Sequence, residues 1–311
     1  MCDFFPVQRE IIEHQDLTDK DFLLMLDSHG IFPAPSESGE EFRQRILLEY
    51  DYAADINSQK EKILLWQSSD GKNKLEVNEN DRIERELFAP AYELTQKMYG
   101  FAADYVQGFY LFEKVGLLWG GCSIYDDETQ MKVFLLRPAF RKKSRFLIYD
   151  RTELIAHEQC HCARQVLRDH AIEEYFAYQT AGSPLRRYIG NCFIREFDAL
   201  LFLLPALLLP VAQIIRNFIW HKLPIFPFWI FLAAVISYFI IRNQKSRNTV
   251  KKARKKLLHL AVNPDAILFR STLAELQILG KSFEEYYSQL SPMRKIIIDS
   301  YLNADAAPPD A

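Results

Sequence analysis

The sequence predicts an α+β fold, mostly helical, with a small sheet ahead of a pair of helices, then a two-helix transmembrane hairpin and a helical C-terminal region. Three observations predict it. Short apolar and aromatic runs of strand length, separated by turn residues, lie within residues 109–149. Stretches that read as helices flank them on both sides. Two further stretches, 197–215 and 224–241, are almost free of charge and long enough to cross a bilayer core.

Residues 16–27 and 40–54 read as helices separated by the loop 30–39, which carries Pro33 and Pro35. A turn around Asp70-Gly71 precedes a helical stretch from about Arg82 to Gln107, which makes residues 1–108 an N-terminal helical region. Residues 109–118, 120–125 and 130–137 read as strands, with Asp126-Asp127-Glu128 at a turn. The run Arg145-Phe146-Leu147-Ile148-Tyr149 reads as a buried strand. It ends at Asp150, and Asp150 and Glu153 have the spacing of a loose capping box. From Thr152 to about Leu167 there is no Gly or Pro, as a helix requires. A turn near Arg168-Asp169-His170 separates it from a second helix within residues 109–196.

Between Phe197 and Ile215 the only ionisable residue is Asp198, and the 18 residues from Pro224 to Ile241 carry no charge. The short linker 216–223 leaves room only for a tight connection, so residues 197–241 read as a helical hairpin. Pro205 and Pro210 predict a kinked first span, which a membrane helix tolerates. Trp220 and Trp229 suit a membrane interface. The competing reading is a helical pair buried in a large soluble core. Residues 242–302 open with a basic run and continue as two or three amphipathic helices; the Ala/Pro/Asp tail 303–311 reads as disordered.

Charge sets the expected orientation. Arg242, Lys245, Arg247 and the run 251–256 follow the second span, and Arg186, Arg187 and Arg195 precede the first. The connection holds only Arg216 and Lys222, so the positive-inside rule predicts both termini in the cytoplasm. The basic run attracts anionic headgroups, which makes membrane lipids an expected partner. A nucleic-acid partner is not expected, because the net charge is −3 and the basic cluster abuts a span. The polar, acidic N-terminus lacks a signal-peptide plan, and five cysteines, an odd count, suit a reducing compartment. A composition 49% hydrophobic and 14% aromatic can supply a sizeable core besides the hairpin.

Chemistry concentrates in His157-Glu158-Gln159-Cys160-His161, an HExxH segment one turn into a predicted helix. Histidines four apart share a helix face, so both imidazoles can bind one metal ion, with Glu158 placed to take a proton from a metal-bound water. With 7 His and 41 acidic residues in 311, chance supplies roughly 0.02 such pentapeptides. Two histidines do not complete a catalytic zinc site. Glu173 and Glu174 on the next helix, Glu196 further on, and His170 are the candidates for the third ligand. Cys160 and Cys162 are also metal-ligand types, but Cys-His-Cys within one helical turn lacks the two-knuckle spacing of structural zinc sites. Core histidines beside an incidental glutamate are the bland alternative. Arg186 and Arg187 are candidates for a substrate carboxylate, although a basic flank facing headgroups is the simpler reading.

The order HExxH followed by Glu174-Tyr175-Phe176-Ala177-Tyr178, a Glu-x-x-Ala-x pattern, resembles the gluzincin class of zinc metallopeptidases. The resemblance covers roughly residues 145–180 and departs from the class in two ways. Tyr178 stands where Asp is usual, and the 12 residues between His161 and Glu174 make a short gap. It implies Zn bound by His157, His161 and Glu174, with Glu158 as the catalytic base. It also implies a sheet whose edge strand holds extended substrate, a role expected of residues 131–136. With the hairpin beyond, the chain looks like the membrane-bound prenyl-protein-protease and heat-shock-protease group, although Cys160 stands where that group often has a small residue such as Gly. The expected function is a membrane-anchored metallopeptidase with protein or peptide substrates. The alternative is a non-catalytic membrane protein whose metal site is structural or vestigial.

Overall fold

A computed structural model describes residues 4–68, 72–111, 116, 119–195 and 197–303. The turn expected at Asp70-Gly71, the far end of the strand expected at 109–118, the candidate ligand Glu196 and the tail 304–311 lie outside the described residues.

The N-terminal stretch folds into α1 (Arg9–His14), α2 (Lys20–Ser28) and α3 (Gly39–Ser58). Ser38 opens α3 with a full capping box, accepting from Glu41 N–H while the Glu41 carboxylate accepts from Ser38 N–H. An antiparallel pair, β1 (Lys62–Gln67) and β2 (Lys74–Asn78), follows; neither strand was expected from the sequence. The helix expected over 82–107 is confined to α4 (Ala89–Tyr99), which Gly100 ends in the left-handed region at φ 77°.

The second sheet contains β3 (Gln107–Tyr110), β4 (Gly121–Asp126) and β5 (Met131–Leu136) in the order β3-β5-β4. β5 runs parallel to β3 and antiparallel to β4. It is therefore the central strand, buried along its whole length, and cannot be the edge expected at Met131–Leu136. The edge facing the motif helix is β4. The buried strand expected at 145–149 is instead a small hairpin, β6 (Arg145–Phe146) and β7 (Tyr149–Asp150), with Leu147 and Ile148 exposed at its tip. Leu147 turns the chain at φ 51°, a conformation that periodicity alone does not reveal.

Helix α5 (Arg151–Arg164) carries the HExxH segment, and α6 (His170–Gln179) packs against it. A short α7 (Pro184–Ile189) leads to α8 (Asp198–Phe218) and α9 (Phe226–Leu257). Both of these are long and apolar enough to cross a membrane. Their apolar side chains are mostly exposed, Leu200 at 67% and Ile241 at 68%, so they do not form a buried core pair within this chain. The basic run is not a separate segment, because α9 continues through it without a break. At the base of the hairpin Asp198, 1% exposed, accepts from Arg242 at 2.6 and 3.1 Å and from the N–H groups of Ile194 and Arg195.

Four short helices close the chain where two or three were expected: α10 (Pro264–Phe269), α11 (Leu273–Leu279), α12 (Phe283–Ser288) and α13 (Pro292–Asp299). One hydrophobic core runs from Phe5 to Leu302 and includes Phe101, Ile155, Phe176 and Phe269. Residues from the stretches 1–108, 109–196 and 242–302 all contribute to it. A buried ion pair, Asp27 with Arg270 at 2.5 and 2.8 Å, joins the two ends of the chain, and the Tyr301 hydroxyl donates to the same carboxylate.

Candidate metal centre

Asp150 caps α5 by accepting from the N–H groups of Thr152 and Glu153. The first helical turn is thereby fixed, and His157 and His161 fall on one face one turn apart. The opposite side of the helix is core: Ile155, Ala156 and Cys160 are fully buried. Cys160 and Cys162 belong to that core and stand outside the cluster of candidate ligands. Burial pushes both thiols up, the Cys162 thiol to about 12.

The chain reverses between α5 and α6 in a single 3-10 turn, closed by Arg168 in the left-handed region at φ 47°. Asp169 caps α6 through Ala171 N–H and its second oxygen holds Leu273 N–H, which anchors the turn to α11. This compact reversal explains how only 12 residues bring Glu174 back to the histidines. His157 Nε2 and His161 Nε2 lie 3.1 Å apart. The Glu174 carboxylate stands 3.7 Å from the first and 3.6 Å from the second. Glu173 is on the other edge of the His161 ring, 3.3 Å from Nδ1. His170 lines the same cavity without joining the cluster.

The Glu173 carboxylate lies 3.3 Å from His161 Nδ1, and His157 hydrogen-bonds the Ala177 carbonyl. With both imidazoles neutral, the two Nε2 lone pairs and the Glu174 carboxylate face one point and form a donor set for a cation. Without the ion, a proton on His161 takes the place of that positive charge. Two imidazoles and a carboxylate suit zinc, and the cavity leaves room for a fourth ligand. The residues present therefore fit the ion. The polarity of the site agrees: burial, together with the nearby His161 charge, holds His157 well below the ordinary histidine value. Burial opposes the charge on His161, but the Glu174 and Glu173 carboxylates outweigh it and raise that group to about 9.

Glu158, 4% exposed, opens onto the same cavity of about 520 Å³. Burial pushes its carboxyl up to about 7, against the charge of His161 and hydrogen bonds from the Ser123 hydroxyl and N–H. A carboxyl titrating near neutrality is suited to taking and returning a proton. Ser123 comes from β4, so the edge strand and the motif helix meet across the cavity. Nothing local in Gly121-Cys122-Ser123 marks it in the sequence; only the strand order brings it there. Tyr178 stacks edge-on against His157, with ring centroids 4.6 Å apart. Gly190 makes room for that phenol, because a Cβ there would lie 2.1 Å from its ring. Arg186 is not a free anchor for a substrate carboxylate, since it pairs with Glu153 at 2.8 Å and donates to the Ile148 carbonyl.

Set against known proteins, the chain matches no family model, no curated protein and no solved structure.

Proposed function

We propose that the chain is a membrane-anchored, zinc-dependent metallopeptidase of gluzincin type, acting on membrane or membrane-proximal proteins at the cytoplasmic face. One observation carries the reading: the Nε2 atoms of His157 and His161 and the Glu174 carboxylate converge on one point at the wall of the cavity that Glu158 also lines. His157, His161 and Glu174 hold the ion, and Glu173 keeps His161 in the tautomer that ligation requires. When bound, zinc supplies Lewis acidity towards a peptide carbonyl and a water. Glu158 takes the proton of the attacking water and returns it to the leaving nitrogen, a role its burial beside the cluster suits by raising its affinity for a proton. The free edge of β4 lines up extended substrate by main-chain hydrogen bonds, with Ser123 beside the base. In this reading α8 and α9 span the bilayer, with both termini in the cytoplasm. Asp198, the first residue of α8, follows Ile194 of the cavity wall by four positions, so the catalytic cavity opens near the membrane surface.

Metal analysis of purified wild type, His161→Ala and Glu158→Gln, alongside casein cleavage, tests the reading. Near-stoichiometric zinc is expected in wild type and in Glu158→Gln, with cleavage abolished in the latter, and no zinc in His161→Ala. Absence of zinc from the wild type would sink it. Zinc with no cleavage of casein or of the chain itself would instead support a structural or vestigial metal site.

A further inference from the structure

A second cavity, of about 570 Å³, adjoins the metal cavity and shares His170 and Ile194 with it as a dividing wall. Its far side is built by α9 and α11, and its rim carries Arg195 and Lys245. No acidic side chain lines it among the described residues. Arg242 also reaches it, but that charge is balanced by Asp198 at 2.6 Å. Arg195 and Lys245 are exposed and have no ion-pair partner among the described residues. Ser246 and Thr249 add hydroxyls, while Leu273 contributes an apolar patch. A concavity of this size, apolar in part and with uncompensated cations at its mouth, is built to accept an anionic group on an otherwise uncharged body.

We infer that this cavity is a substrate subsite selecting a carboxylate, either an acidic side chain or the chain end of the peptide, to one side of the scissile bond. The inference rests on the peptidase reading for what it binds. The shared wall favours a peptide: a chain held along β4 with its scissile bond at the histidines passes His170 and Ile194 within a few residues. It then delivers its next side chains into the basic cavity. The wall of His170 and Ile194 shared with the metal cavity favours a peptide over an anionic lipid headgroup, which has the right charge and is the competing ligand in the test.

The test uses full-length Glu158→Gln protein in detergent, which binds without cutting. Fluorescent peptides differing only in Glu, Gln or Lys at positions flanking a cleavable bond are titrated by anisotropy. Tighter binding of a Glu peptide than of its Lys counterpart is expected. In Arg195→Glu/Lys245→Glu, added to the same background and matched for melting temperature, that preference should fall roughly tenfold or invert, as for two exposed charge pairs lost together. No preference for Glu in the parent, or a preference unmoved by charge reversal, would overturn the subsite. So would a short-chain phosphatidylglycerol, in place of the Glu peptide, being the ligand that the reversal releases. Acid-selective binding with no cleavage by the Glu158 protein would overturn the peptidase reading while leaving the subsite standing.

Discussion

At the histidine cluster, one residue of helical rotation sends Glu173 and Glu174 to opposite edges of the His161 ring, the first to Nδ1 and the second to Nε2. The two carboxylates should therefore fail differently when removed. Glu174→Ala takes away a ligand and should abolish stoichiometric zinc. Glu173→Ala only frees the His161 ring and its tautomer, and should weaken zinc by about 10–100-fold. Chelator competition on both variants measures this, and the reverse ranking would show that the ligand assignment is wrong. The histidine pair and Glu158 were legible in the sequence because their spacing is a property of any helix. Spacing alone did not separate Glu173 from Glu174, since that depends on where the turn at Arg168 sets the phase of α6; only the Glu-x-x-Ala resemblance pointed to Glu174. Ser123 and the Ala177 carbonyl were invisible for the same kind of reason: they reach the site through tertiary packing and leave no mark on the local pattern.

The elements divide along a similar line. The motif helix, its Asp150 cap and the two long apolar helices follow from local composition and were legible. Strand order was not. The run Met131–Leu136 is apolar on both faces except for Lys132, whose ammonium is buried on Glu49 at 2.7 Å. Such a run belongs in the middle of a sheet, and the more polar Gly121–Asp126 belongs at its edge. The hairpin at 145–150 was misread because a short apolar run looks alike in a buried strand and at an exposed turn. Between elements, the joint most exposed to test is Asp198–Arg242, where α8 begins and the apolar half of α9 ends. Asp198→Ala would leave a half-buried guanidinium without its partner, and Arg242 Nε already has no hydrogen bond. A loss of about 3 kcal/mol is expected, at the lower end for broken buried pairs because Arg242 still reaches solvent. Asp198→Leu/Arg242→Leu should recover part of it in a thermal melt. A single variant melting like wild type would mean that the pair does not hold the two helices together.

For the molecule as a whole, the core that joins Phe5 to Leu302 lies outside residues 199–241; α9 enters it only beyond them, through Val250, Ala253 and Leu257, and the described apolar clusters of the hairpin itself are small and separate from it. The fold therefore does not depend on the hairpin for its main core. The hairpin also leaves and returns at one place, because Asp198 and Arg242 touch. Residues 199–241 should then be replaceable by a Gly/Ser linker of about four residues, enough to span the gap at roughly 3.3–3.6 Å per residue. The expected product is soluble without detergent, binds zinc through His157, His161 and Glu174, and melts cooperatively. It removes the exposed apolar side chains from Leu200 to Ile241 but keeps Asp198–Arg242 and the buried Asp27–Arg270 pair that ties the chain ends. Size-exclusion chromatography with metal analysis checks it. Aggregation, or loss of zinc from a soluble product, would mean that α8 and α9 brace the metal centre. Retained zinc with lost casein cleavage would mean that α8 and α9 help to hold substrate and not the ion.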